Sequence, residues 1–303
     1  KYLSLITPAR WYSTGRENLL AEFRHNMLNS NIKELVTYTK SSDIFSTVEI
    51  KGGICYFLID NSYNGKCNYI LYKDGAIKKY SIVLNDFDIL IREPELAEIV
   101  KKVQKFNKDQ KTVESIISND TPFGIPSNPK TSKKTPFVVS ECKTAKYDVM
   151  LFHIEKLKRK IEYVERKKIK KYQKDIDKVK VFIPGAGHSG DDSLILGKPE
   201  CAPKGSVCSQ SYLYAAFNSI FEAKNFIKYL ETKFFRSLVA AIKISQSAPN
   251  RAYKFVPLQD FTKSSNIKWD KTVSEIDKQL YNKYELNKKE IDYIEKRIEY
   301  YKK

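Results

Sequence analysis

Apolar positions along the chain change their period several times, and each change marks an element. Leu3, Leu5 and Ile6 form a short apolar run closed by Pro8, which reads as a buried strand. Ser13 or Thr14 then caps a helix with Leu19, Leu20, Phe23 and Met27 at helical spacing, ended by Asn29-Ser30-Asn31. Strand-like Glu34–Tyr38 follows, and Lys51-Gly52-Gly53 leads into the apolar strand Ile54–Ile59. Asn61–Gly65 is a turn signal, and Asn68–Tyr72 reads as the return strand of a hairpin. Strand, helix, strand and hairpin is the order expected at the end of an α/β sheet.

From Pro94 the period is helical, with Leu96, Ile99, Val100, Val103 and Phe106 on one face. Thr121–Lys134 is a loop rich in Pro, Ser, Asn and Lys; Pro136–Ser140 and Tyr147–His153 read as strands. The basic stretch Lys156–Lys178 fits either one solvated helix or a strand (Lys160–Val164), a short helix and a second strand, Val179–Ile183. Ile161, Tyr163 and the Val179/Val181 alternation favour the second. A glycine-rich surface loop spans Pro184–Asp192, and Val207–Phe217 is strand-like. Ser219 and Glu222 form a capping-box pattern before a helix with Phe221, Phe226, Ile227 and Leu230. Phe234, Phe235, Leu238, Val239 and Ile242 mark another helix. Two more follow, one with Val273, Ile276 and Leu280, the other opening at Asn287 with Ile291, Ile294 and Ile298.

Charge adds a partner to this picture. The 303 residues carry 54 Lys+Arg against 36 Asp+Glu, a formal net charge of +18. Such a balance points to a polyanion, although a lysine-favouring AT-rich genome would also produce it. With 42% hydrophobic residues, including 16 Phe and 20 Tyr, the chain can bury a core, which argues against global disorder. There is no secretory signal and no apolar run near ~18 residues, so no membrane span is expected and the protein reads as cytoplasmic. The five cysteines form no Cys-x-x-Cys pair and the three histidines lack zinc-ligand spacing, which suits reduced, structural thiols. Lys1, running straight into a strand, suggests a piece of a longer protein.

Candidate chemistry is sparse. Gly185-Ala186-Gly187-His188-Ser189-Gly190 is not the dinucleotide fingerprint, and Leu196-Gly197-Lys198-Pro199 breaks the chain behind it. His188 beside Asp191 and Asp192, or Glu200 with Lys204, lacks the compact context of a metal or nuclease site. More informative is Lys243–Lys254, which mixes Lys, Gln, Ser, Asn and Arg after an apolar helix. Such side chains read base edges and hold phosphates; an ordinary polar turn has the same composition.

Several stretches together resemble one family. Leu5-Ile6-Thr7-Pro8-Ala9-Arg10-Trp11 resembles the late catalytic-domain strand of adenine-specific DNA methyltransferases. Asp43-Ile44-Phe45-Ser46-Thr47-Val48 and Lys51–Leu58 look like the hairpin that closes that domain. Pro122–Asn128, Ile183–Gly187, Leu196–Pro199, Ser206–Tyr212, Lys233–Arg236, Gln246…Arg251…Tyr253–Pro257 and Tyr284–Ile291 are similar, in order, to the recognition domain of the same enzymes. These are the methyltransferases of type II restriction–modification systems, including chains that carry nuclease and methylase together.

The resemblance implies a fold of α/β plus α+β type. Residues 1–92 would be the C-terminal remnant of a Rossmann-like methyltransferase sheet, 93–265 a mixed α+β target-recognition domain, and 266–303 a terminal helical segment. It implies double-stranded DNA as partner, an N-terminal catalytic half of the same protein, and S-adenosylmethionine for the whole enzyme. The catalytic Asn-Pro-Pro-Tyr and the cofactor's Gly-rich motif are absent here, so this chain alone is expected to hold no cofactor and no catalytic residue. Phe45 is the candidate to touch an adenine flipped from the duplex; a core Phe is the competing reading. Lys243, Gln246, Arg251 and Lys254 are candidates to choose sequence, with Lys130, Lys133 and Lys134 on the backbone. Two other readings stay open: a chain that cleaves DNA, and a basic protein-docking module.

Overall fold

In the computed structural model, residues 1–13, 20–108, 110–131, 137–156, 158–185, 194–243 and 248–301 are described. The chain forms two compact units, Lys1–Val100 with Ala240–Ser245, and Lys101–Val239 with Gln246–Lys303. Both are mixed α/β.

The first unit is built on a five-stranded sheet. Its strands are β1 (Tyr2–Pro8), β2 (Ile32–Tyr38), β3 (Ile54–Asp60), β4 (Cys67–Lys73) and β5 (Ala76–Ile82), in the order β1-β3-β2-β4-β5. β3 runs antiparallel to both β1 and β2, so those two share a direction. The expected hairpin between β3 and β4 does not form. Both edges of β3 are taken by β1 and β2, and β4 lies parallel to β2 instead. The hairpin joins β4 to β5 at Asp74-Gly75, whose φ angles of 50° and 77° are those a two-residue turn of this kind demands. One face of the sheet packs Leu35, Phe57, Tyr69 and Leu71 against Trp11, Tyr12, Met27 and Leu28. The Met27 and Leu28 side chains come from α1 (Ala21–Leu28), which starts without a side-chain cap; Thr14 and Leu19 lie outside the described residues.

β1 corrects a second expectation, because it is not buried. Leu3 and Leu5 lie in register with Ile59 and Phe57 on the core side, yet are 46% and 49% exposed. Tyr2 and Ile6 point to the opposite face and are 75% and 62% exposed. The strand has the two-sided apolar pattern of a sheet interior and the position of a sheet edge.

In the second unit, β6 (Val149–Glu155), β7 (Lys158–Val164) and β10 (Ser206–Cys208) form one sheet, and β8 (Val179–Pro184), β9 (Glu200–Ala202) and β11 (Tyr212–Phe217) another. The strand reading of the basic stretch holds: β7 and β8 bracket two 3₁₀ turns, Arg166–Lys168 and Gln173–Asp175. The single strand expected over Val207–Phe217 splits in two, because β10 pairs with β6 while β11 pairs with β8. No strand forms over 137–140; Ser140 alone makes a bridge, to Tyr163. α2 (Pro94–Phe106) buries Leu96, Ile99, Val100 and Val103 as its spacing predicts, while Phe106, expected on the same face, is 39% exposed at the helix end.

α3 (Ile220–Glu231), α4 (Lys233–Ala240), α5 (Val273–Lys283) and α6 (Lys288–Arg297) complete the second unit. Ser219 caps α3, while Thr272 and Asn287 form full capping boxes on α5 and α6. Asp277 of α5 caps α4 from outside, accepting the amides of Lys233 at 3.0 Å and Phe234 at 2.9 Å. α6 is tied back by Lys102–Glu290 at 2.8 Å and Lys233–Glu295 at 2.7 Å. Arg236 is wholly buried, donates to the carbonyls of Thr232, Glu231 and Leu194, and lies 4.5 Å from the Tyr301 ring.

Candidate nucleic-acid interface

A basic surface of the second unit lies between β7 and β8, where a single apolar residue interrupts a run of charge. Ile169 is fully buried among Val149, Val164 and Ile176, and it pins the segment to the core. Lys167, Lys168, Lys170 and Lys171 on either side of it are exposed. Arg166 does not join them: it pairs with Asp177 at 2.8 Å and Asp148 at 3.3 Å, which hold its guanidinium charged well beyond the ordinary range. Glu165 pairs with Lys167 at 2.6 Å, a contact that lowers the carboxyl pKa and raises that of the amine. The sequence reading noted this stretch as basic but did not name its lysines as a site. The buried isoleucine inside the lysine run is the signal that could have found it.

The residues named from the sequence fall in several places. Lys130 reaches the buried Glu162 of β7 at 2.5 Å, a hydrogen bond that raises the lysine pKa, and the same carboxylate lies 2.9 Å from His153 Nε2. A phosphate at Lys130 would therefore compete with an internal carboxylate. Arg251 and Lys254 belong to one turn: Arg251 stands exposed on the 3₁₀ segment Asn250–Tyr253, and the half-buried Lys254 follows with its ammonium 4.8 Å from the Phe255 ring. Asn250 fastens this turn, donating to the carbonyls of Glu114 at 3.0 Å and Ile117 at 2.7 Å. Its amide is thus structural. Lys243 is half-buried and belongs to the stretch Ala240–Ser245 of the first unit. Lys133, Lys134 and Gln246 lie outside the described residues, as do His188, Asp191 and Asp192. Glu200 sits 3.4 Å from Arg159 in β7, and among the described residues no group of three metal-ligating side chains occurs. The five cysteines are unpaired.

Phe45 is not a core residue. It is 39% exposed, on a loop that also presents Ile44 and Val48 to solvent. That loop is organised around the buried Ser41, whose hydroxyl donates to Val48 O at 2.7 Å and accepts Ile50 N–H at 2.8 Å. The Phe45 amide bonds Ser41 O at 2.8 Å. Gly53 ends the loop at φ 76°, where a Cβ would stand 2.2 Å from Tyr38 O. Side chains of Arg10 and Arg92 bond the carbonyls of Lys51 and Gly52. Beside this loop Tyr38 stacks on Tyr72 with centroids 4.2 Å apart, and burial with the Tyr72 hydrogen bond pushes the Tyr38 phenol up to about 12.

No family model matches the chain. Over 67 residues it is 45% identical to a protein of Mycoplasma pneumoniae described as an uncharacterized adenine-specific methylase, a stretch that is 22% of this chain and 16% of the relative. Its fold is similar to that of the type IIL restriction–modification enzyme MmeI, solved in complex with DNA. That likeness has a TM-score of 0.55 and 8% identity, and covers 98% of this chain and 49% of that one. The type IIG restriction endonuclease BpuSI also aligns, with a TM-score of 0.32 and 11% identity over 91% of this chain and 42% of its own. The chain is thus similar to an adenine-specific methylase over about a fifth of its length, and to the restriction–modification enzyme MmeI in fold. It spans less than half the length of each of these structures and about a sixth of the methylase. Among the described residues no helix is long and apolar enough to cross a membrane.

Proposed function

We propose that this chain is the DNA-reading part of an adenine-specific restriction–modification methyltransferase, joined to the end of that enzyme's catalytic sheet. The observation that carries the reading is the 45% identity to an adenine-specific methylase, and the MmeI-like fold over nearly the whole chain supports it. β1 supports it too: an edge strand apolar on both faces is suited to continue into further strands with a layer on each side. The occupant of that edge would be the catalytic half of the same protein.

In the whole enzyme an adenine would leave the duplex and receive a methyl group on its exocyclic amine. Phe45, held outward on the Ser41-centred loop, is the residue of this chain proposed to meet the flipped base. S-adenosylmethionine would supply the methyl group. Gly53 closes on the backbone of Tyr38 and Thr39, so that glycine offers no cradle for it. Arg251 and Lys254 would face DNA from their fastened turn, with Lys243, Gln246, Lys130, Lys133 and Lys134 as further contacts.

The test is selection from randomised duplex DNA at near-physiological salt, followed by sequencing of what the chain retains. Enrichment of one short motif is the expected result. Salt-sensitive retention without any enrichment would sink the claim that recognition resides in this fragment.

A further inference from the structure

Beside the 165–171 loop lies an open pocket of about 740 Å³, within the range of small-molecule sites. Its floor is aromatic. Phe123 is fully buried and stacked on Tyr214 at 4.9 Å, and Phe137 is packed against the same core with its amide bonded to Pro129 O at 2.9 Å. Tyr147 is held by a tight turn, its amide bonded to Thr144 Oγ1 at 3.0 Å and its carbonyl accepting Thr144 N–H at 3.1 Å. The rim carries five lysines, Lys146 and the four that flank Ile169, against one carboxylate, Glu165. Lys146 Nζ stands 5.4 Å from the Tyr147 ring centroid, so the cation and the aromatic face already adjoin.

The geometry points to this pocket as a nucleotide site, with the base against Tyr147 and Phe137 and the phosphate among the lysines. An acidic peptide would satisfy the lysines but leave the aromatic floor without a planar partner. A neutral aromatic molecule would leave the cationic rim without a counter-charge. The nucleotide could belong to a DNA strand, in which case the pocket takes a base that has left its stack, or it could be free in solution. The first source rests on the DNA-binding reading above; the nucleotide chemistry does not.

The full chain would be titrated with a labelled twelve-nucleotide single strand, with a duplex of the same length, and with ATP. If the pocket works as described, Tyr147→Ala weakens binding of the single strand about tenfold, as loss of one stacked base does, while Tyr147→Phe retains it. Lys168→Ala combined with Lys171→Ala weakens it further and lowers the log–log salt slope by about one or two. Both lysines are exposed, so these variants test the site without disturbing the core. ATP binding that depends on Tyr147, without strand or duplex binding, would keep the nucleotide site and remove its DNA source. Duplex and strand binding unchanged in every variant, with no ATP binding, would overturn the site and leave DNA binding standing. No binding of any of the three would overturn both.

Discussion

Single residues carry several of the fold's decisions. Asp277 is one: its carboxylate, almost wholly buried, accepts two backbone amides at the start of α4 and the Tyr300 hydroxyl at 2.9 Å. Asp277→Ala leaves those donors unmatched and is expected to cost about 2–3 kcal/mol in a denaturant titration. Burial pushes this carboxyl up from 3.8 to about 6, and the three donors offset only part of that effect. The folded protein therefore takes up a proton there before the unfolded chain does. Stability relative to Asp277→Asn should rise as pH falls from about 6 to about 4, by up to ~3 kcal/mol. A flat difference across that window would show that the donors compensate burial fully. Gly53 is a second such residue. At φ 76°, with Tyr38 O filling the space of a side chain, Gly53→Ala should lower stability by more than ~1 kcal/mol and disturb the loop that presents Phe45. Arg251 decides a functional question. Replacing it by Ala should cost ~1–3 kcal/mol at one position of the target if it reads a base, and equally on every sequence if it holds phosphate.

At the scale of elements, β1 makes the clearest forecast. Its exposed Leu3, Leu5, Tyr2 and Ile6 flank a row of unpaired backbone groups, the arrangement that invites a second strand. Sedimentation of the isolated chain should show self-association that grows with concentration. Leu5→Lys with Ile6→Lys should abolish it, and persistence in that variant would place the contact elsewhere. The same strand shows what the sequence could convey. Its apolar run announced a strand correctly, but burial depends on what lies beside it, which no local period encodes. The α2 face was legible for the opposite reason, since Leu96, Ile99, Val100 and Val103 are buried by spacing that local geometry sets. The β3–β4 hairpin was misread because partner choice is a property of the sheet, while the Asp74-Gly75 turn was written in the chain and overlooked. Of the site, Arg251 could be read as polar and exposed. That Asn250 spends its amide on Glu114 and Ile117, and that Lys130 meets a buried carboxylate, depends on residues more than 30 positions away.

For the whole molecule, the net charge of +18 predicts strong salt dependence. Duplex affinity measured from 50 to 200 mM salt should fall by about 10³ or more if six or so phosphates are contacted, and a shallow slope would mean that few are. The two units have another consequence. The first is discontinuous along the chain: Ala240–Ser245 belongs to it although Lys101–Val239 of the second unit intervenes, and Ala241 and Ile242 in that return are buried. A gene recombined at one crossover, near codon 100, would pair one parent's Lys1–Val100 with the other's returning segment and create a mismatched interior. The second unit is discontinuous too, so exchanging one unit intact between related chains would need three crossovers, one after Val100 and one on each side of Ala240–Ser245; any swap made with fewer would leave a mixed interior in one unit or the other.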